Sequence, residues 1–169
     1  LMVIARSQRA YDALVEALSD HEVGREYLAL VWGHFDSPTA IVDASIGRHP
    51  RDPMKMAVVN NGKWARTHLE VVQTFNVPAD LSLVQCTLET GRTHQVRVHM
   101  ASLGHPLIGD PVYGRTKKEH REVLETMGFR RQALHAARLG FIHPINSHAL
   151  AFDSEMPADM QELMTNLIV

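Results

Sequence analysis

Between Gly24 and Glu89 the chain is a succession of short extended runs separated by turn residues, and this constrains the fold more than any other feature. GREYLALVWGHF (24–35) is an apolar strand with glycine near both ends. AIVDASI (40–46) follows before Pro50 and Pro53 break the chain. KMAVVN (55–60) and KWARTHLEVVQTF (63–75) flank Asn61-Gly62, a reversal signal that predicts a hairpin between them. LSLVQCTLE (81–89) alternates as a half-buried strand does. The opening LMVIAR (1–6) and the later LHAARLGFIHP (134–144) and HALAFDSEM (148–156) also read as strands.

Helical spacing is confined to a few stretches. Tyr11, Leu14, Val15 and Leu18 recur at three and four within residues 8–19. Val96, Met100 and Leu103 repeat the spacing, with Gly104 as a stop and Thr93 as a candidate cap. Pro157 opens a last helix whose stripe is Met160, Leu163, Met164 and Leu167. Residues 104–115 are turn-rich, and 117–128 read as a polar helix or partly ordered loop. Strands that neighbour each other through short turns, with helices at intervals, predict an α+β fold: a mixed, mainly antiparallel sheet with flanking helices. The 169 residues suit one domain.

Charge and cysteine usage narrow the setting. A net charge of −2 argues against a non-specific nucleic-acid binder but leaves room for a locally basic groove. The single cysteine, Cys86, allows no internal disulfide and fits a reducing, cytoplasmic setting, where it reads as a small packed strand residue. No apolar run approaches the ~20 residues of a membrane span. The chain starts at Leu1, inside a strand-like run, and so reads as the interior of a longer protein.

The densest polar cluster is TGRTHQVRVH (90–99). Glycine at a strand-to-helix corner permits a tight turn. Arg92, His94, Gln95 and Arg97 then leave from one helical turn, with His94 and Arg97 on one face. Val96, Met100 and Leu103 take the opposite side. A helix start with two arginines suits a phosphate or carboxylate. Tyr27 is either a core aromatic or a base-stacking ring. Lys55, Met56, Lys63 and Arg66 flank the predicted hairpin, as edge-strand charges or as a phosphate-contacting arm. Residues 115–120 and 129–131 add a second basic patch. Eleven histidines raise the question of a metal, but no HExxH or zinc-type Cys/His spacing occurs, and none is expected. A histidine-based hydrolase would rest on histidine count alone. No serine elbow or phosphate-cradling glycine loop is present.

LMVIAR, REYLALVWG, IGRHPRDPMKMAVVNNGKWARTH, TGRTHQVRVHMASLGHPLIGDPVYG, RQALHAARLGFIHP and PADMQEL, in this order and spacing, resemble the RluA/RluD family of large-subunit ribosomal RNA pseudouridine synthases, the RluD-like branch most of all. The resemblance implies isomerisation of uridine to its carbon-linked form, without cofactor or metal. The implied partner is a stem-loop of ribosomal RNA, bound by a monomer in the cytoplasm. It makes Tyr27 the active-site tyrosine, stacking on a flipped uracil, and Arg97 the partner of the catalytic aspartate. Val96 becomes the apolar neighbour at the base pocket, and Arg92, His94 and Gln95 line the RNA side.

One departure stands out. The family's catalytic aspartate lies in an HRLDxxTxG motif directly before the strand matching LMVIAR, and this chain begins at that strand. Asp12, Asp20, Asp110 and Asp153 do not share its context. Residues 1–169 therefore read as the C-terminal part of one catalytic domain, without that motif or an N-terminal RNA-binding domain. The fragment alone is expected to be inactive, with Arg97 lacking a carboxylate partner. The alternative is a non-catalytic RNA-binding module that keeps the fold.

Overall fold

The computed structural model of the chain describes residues 1–114, 121, 124–126 and 128–167. In chain order the described elements are α1 (Gln8–Ser19), β1 (Gly24–Trp32), β2 (Thr39–Asp43), β3 (Ile46–His49), β4 (Asp52–Val58), β5 (Arg66–Phe75), β6 (Leu81–Leu88), α2 (Gln95–Ser102), β7 (Leu134–Ile142), β8 (Ala149–Asp153) and α3 (Ala158–Thr165). Six strands form one sheet in the order β2-β5-β6-β1-β7-β8, and β3 and β4 form a separate pair. Every described pairing is antiparallel, in line with the α+β expectation.

β1 is the centre of the sheet, and its alternation divides the core. Tyr27, Ala29 and Val31 face the layer that contains α2, packing with Val42, Leu69, Cys86, Val96, Met100 and Leu107. Leu28, Leu30 and Trp32 face the other side, against Phe75, Leu81, Ile108, Phe129 and the α3 stripe of Met160, Leu163 and Leu167. A strand buried on both faces reads as a continuous apolar run, which is why REYLALVW lacks polar alternation. Cys86 is buried in the first layer as expected, and burial pushes its thiol up to about 12.

Four expectations are corrected. Residues 1–6 are not a strand; only the Leu1 amine bonds the carbonyl of Ala136, at 3.2 Å. β8 pairs only with Arg138–Ile142 of β7, and the segment meets the uncovered start of β7 through this single bond rather than as a ladder. The hairpin does not join β4 to β5. β4 turns back on β3, a strand too short and too close to Pro50 to register as a run. The Asn61-Gly62 reversal instead lays Lys63 beside Ile46 in a two-bond bridge, and a side chain at Gly62 would overlap the Ile46 backbone. Thr93 does not cap α2. The cap position is His94, in the left-handed region at φ 57°, with no side-chain cap bond. Leu103, expected in the core, is 42% exposed at the end of α2. The reading of 117–128 falls mostly outside the described residues, and that of 115–120 wholly so.

Candidate active site

The corner after β6 delivers a short helix into the middle of the molecule. From Gln95 to Met100 every residue of α2 is buried, polar ones included. Buried polar groups need partners, and here they have them. Gln95 is 3% exposed. Its Oε1 accepts the Thr90 hydroxyl at 2.7 Å and the Arg92 N–H at 2.9 Å, while its Nε2 donates to Arg66 O and Thr67 Oγ1, both at 3.0 Å. His99 Nε2 donates to Ala44 O at 2.9 Å, which leaves Nδ1 to accept the Thr67 hydroxyl at 2.9 Å. Burial lowers the pKa of His99, consistent with this neutral form. Gln95 is thus a structural hub with no free hydrogen-bonding capacity, which corrects its assignment to the RNA side.

Arg97 lies on the adjoining face. Its Nε and Nη2 donate to Asp110 Oδ2 and Oδ1, both at 2.8 Å, and the two side chains are 10% and 0% exposed. Arg97 therefore has a carboxylate partner within this chain, against expectation. Asp110 Oδ1 also accepts the N–H groups of Val112 at 2.9 Å and Tyr113 at 3.0 Å. Burial alone would raise the Asp110 pKa, but Arg97 and these two N–H groups hold it below the ordinary carboxylate range. The reciprocal bond raises the Arg97 pKa. A carboxylate with four donors and no exposure is a clamp, not a nucleophile. The clamp occupies the Nε/Nη2 edge of the guanidinium and leaves Nη1 without a hydrogen-bond partner among the described residues. The Tyr113 ring lies under the guanidinium, 4.9 Å from centroid to Cζ. The signal for this clamp was Asp110 before Pro111, a turn-forming pair whose side chain bonds the backbone two and three residues on.

Tyr27 is half-buried and packs against the cluster holding Val96. Two positions earlier on the same strand face, Arg25 runs alongside Gly91, where any side chain would overlap its guanidinium. Arg25 Nε and Nη2 are buried and have no hydrogen-bond partner among the described residues. Burial lowers the Arg25 pKa, Tyr27 opposes that, and Arg92 adds to it. Arg92 is half-buried, and its Nε donates to Trp64 O at 2.8 Å. The structure thus gathers Tyr27, Arg92, Val96, Arg97 and His94 around the start of α2, together with Arg25, Asp110 and Tyr113, to which sequence reasoning gave no role.

The remaining candidates divide. Met56 reaches this group through its N–H, which donates to the Tyr113 hydroxyl at 3.1 Å. Lys55 pairs with Asp52 at 3.5 Å on the same hairpin. Lys63 is exposed beside the Ile46 bridge. Arg66 is taken up by Asp43 at 2.6 Å and Glu89 at 3.5 Å and lies over Trp64, a surface network. Among the described residues no three His, Cys, Asp or Glu side chains are grouped to hold a metal ion.

The chain is similar to known proteins along its whole length. It is 48% identical to ribosomal large subunit pseudouridine synthase D of Zymomonas mobilis, over 100% of this chain and 53% of that protein. It is 46% identical to the protein of the same name from Nitrosomonas europaea, over 97% of this chain and 46% of that one. The chain thus spans about half the length of the curated relatives it matches. The solved structure of human RNA pseudouridylate synthase domain containing 1 superposes with a TM-score of 0.73 at 29% identity, covering 89% of this chain and 62% of that one. The RNA pseudouridylate synthase profile matches residues 1–102, a stretch that holds Tyr27, Arg92, Val96 and Arg97. On these matches, and with the fold they predict in place, the chain belongs to the RNA pseudouridylate synthase family.

Proposed function

We propose that residues 1–169 are the C-terminal part of a single catalytic domain, and that the whole protein isomerises uridine to pseudouridine in large-subunit ribosomal RNA. One observation carries this reading. Tyr27 and Val96 share a face of the sheet beside an arginine whose guanidinium is fixed on one edge and open on the other. A uridine extruded from a stem-loop stacks on the Tyr27 ring, with Val96 closing the apolar side. The open Nη1 edge of Arg97 meets a carboxylate delivered by an HRLD-type segment upstream, keeping it ionised and oriented. That carboxylate attacks ribose C1′ as its bond to uracil breaks; the freed base turns, its C5 bonds C1′ and displaces the carboxylate, and the C5 proton is then lost with help from the Tyr27 hydroxyl. Arg92 and His94 contact the RNA, and Lys55 and Lys63 meet its phosphates. The protein works as a monomer in the cytoplasm; no helix among the described residues is long and apolar enough to cross a membrane.

A second reading has an observation of its own. The one carboxylate at Arg97 is fully engaged, so no described aspartate is free to attack there. A non-catalytic RNA-binding module is consistent with that. One experiment separates the two. Large-subunit RNA from a strain lacking the gene is incubated with the full-length protein or with residues 1–169, and pseudouridine is mapped chemically. Restoration by the full-length protein alone is expected. Restoration by neither favours the module, and restoration by the fragment places the nucleophile within this chain.

A further inference from the structure

The β3–β4 hairpin pairs with no strand of the main sheet. A two-stranded hairpin is marginal by itself, so its position depends on a few anchors. Two of them sit at its base: the Ile46–Lys63 bridge and the small core of Ile46, Ala65 and Val98. The third grips β4 from its free side, where the Met56 N–H donates to the Tyr113 hydroxyl at 3.1 Å.

Tyr113 has other partners that belong to the site. Its hydroxyl lies 2.8 Å from His94 Nδ1, and the two rings meet edge to face at 5.6 Å. With Met56 donating, the hydroxyl keeps its proton and a second lone pair, so it either donates to His94 Nδ1 or accepts from it, according to the histidine tautomer. Tyr113's ring supports the Arg97 guanidinium, and its backbone N–H bonds the Asp110 carboxylate that clamps Arg97. A single side chain thus touches the hairpin, the start of α2 and the active-site arginine. It also forms a wall of the cavity of about 1060 Å³ between the hairpin residues His49 and Ala57 and the α2 residues Val98 and Ala101.

We propose that Tyr113 is a positioning residue that sets the β3–β4 hairpin in register with Arg97 and His94, so that RNA held by the hairpin meets an aligned site. The proposal rests on the synthase reading above. A tyrosine that only filled space would need its ring and not its hydroxyl, whereas here the hydroxyl joins two separate elements.

The test uses the full-length protein and steady-state pseudouridine formation in a large-subunit RNA transcript. Tyr113→Phe keeps the ring and the Asp110 turn but loses the hydroxyl. KM is expected to rise about fivefold, the effect of losing the one neutral hydrogen bond that reaches the hairpin, with kcat near wild type. Tyr113→Leu also removes the support under Arg97 and lowers kcat, so phenylalanine rescues kcat but not KM. Met56→Pro deletes the same bond from the hairpin side, and combined with Tyr113→Phe it should add nothing further to KM. A wild-type KM in Tyr113→Phe, or full additivity with Met56→Pro, overturns the proposal; these two variants decide it even if Tyr113→Leu does not fold. If the wild-type protein makes no pseudouridine, the synthase reading fails separately. RNA affinity then reads the hairpin link: about fivefold weaker binding by Tyr113→Phe supports it, and unchanged binding sinks it.

Discussion

At Arg97 the guanidinium meets a carboxylate, an aromatic face and a turn that holds the carboxylate in place, whereas at Arg25, on the other side of the same corner, two buried guanidinium nitrogens face no acceptor among the described residues. Both arginines border the same candidate site. One has its Nε and Nη2 met by a carboxylate of this chain, and the other has two buried nitrogens with no hydrogen-bond partner among the described residues. The Arg97 side is scaffold, built to hold one geometry. The Arg25 side has no such clamp among the described residues.

The comparison breaks first at Asp110. Asp110→Ala leaves a buried cation unpaired and should destabilise the full-length protein by about 3–5 kcal/mol in denaturant unfolding. A loss under about 1 kcal/mol would mean that the pair is no more structural than a surface bridge. The pH dependence has a defined sign. The Asp110 carboxyl is held below its ordinary value of 3.8, so its contribution is complete above that pH and is lost as pH falls through the depressed folded value. Asp110→Asn should remove this acid-side dependence. Next comes Gln95→Ala, which strands Thr90 and backbone groups inside the core and is expected to cost about 2–3 kcal/mol. Unchanged stability would show that the hub can repack. The smallest effect belongs to the other side. Arg25→Met removes a half-buried cation whose Nε and Nη2 have no hydrogen-bond partner among the described residues, so stability should stay within about 1 kcal/mol of wild type or rise, while on the synthase reading RNA affinity falls. A large stability loss there would erase the contrast between the two arginines.

Much of this was legible in the sequence. The alternation and apolar runs of β1, β5 and β6 marked the central sheet, and three-and-four spacing located α1 and α3. The TGRTHQVRVH cluster marked the corner on which the candidate site is built. What escaped depended on partners distant in sequence. Gln95 resembles a recognition residue until Thr67 and Thr90, from two other elements, are seen to consume it. Arg97 looked unpaired because Asp110 lies 13 residues on, past the end of its helix. β3 is four residues long and ends beside Pro50, too short for periodicity to register, so β4 was assigned the wrong neighbour.

The all-round burial of α2 has a dynamic corollary. A helix enclosed on every side behaves as a fixed post, and the freedom needed to admit and release a bulky substrate must reside elsewhere. The two-stranded hairpin, which pairs with no strand of the main sheet, is where that freedom is expected. Hydrogen exchange should therefore be slowest at the amides of Val98 to Met100 and orders of magnitude faster across β3 and β4. Slow, uniform exchange in both would describe a rigid cleft rather than one that closes.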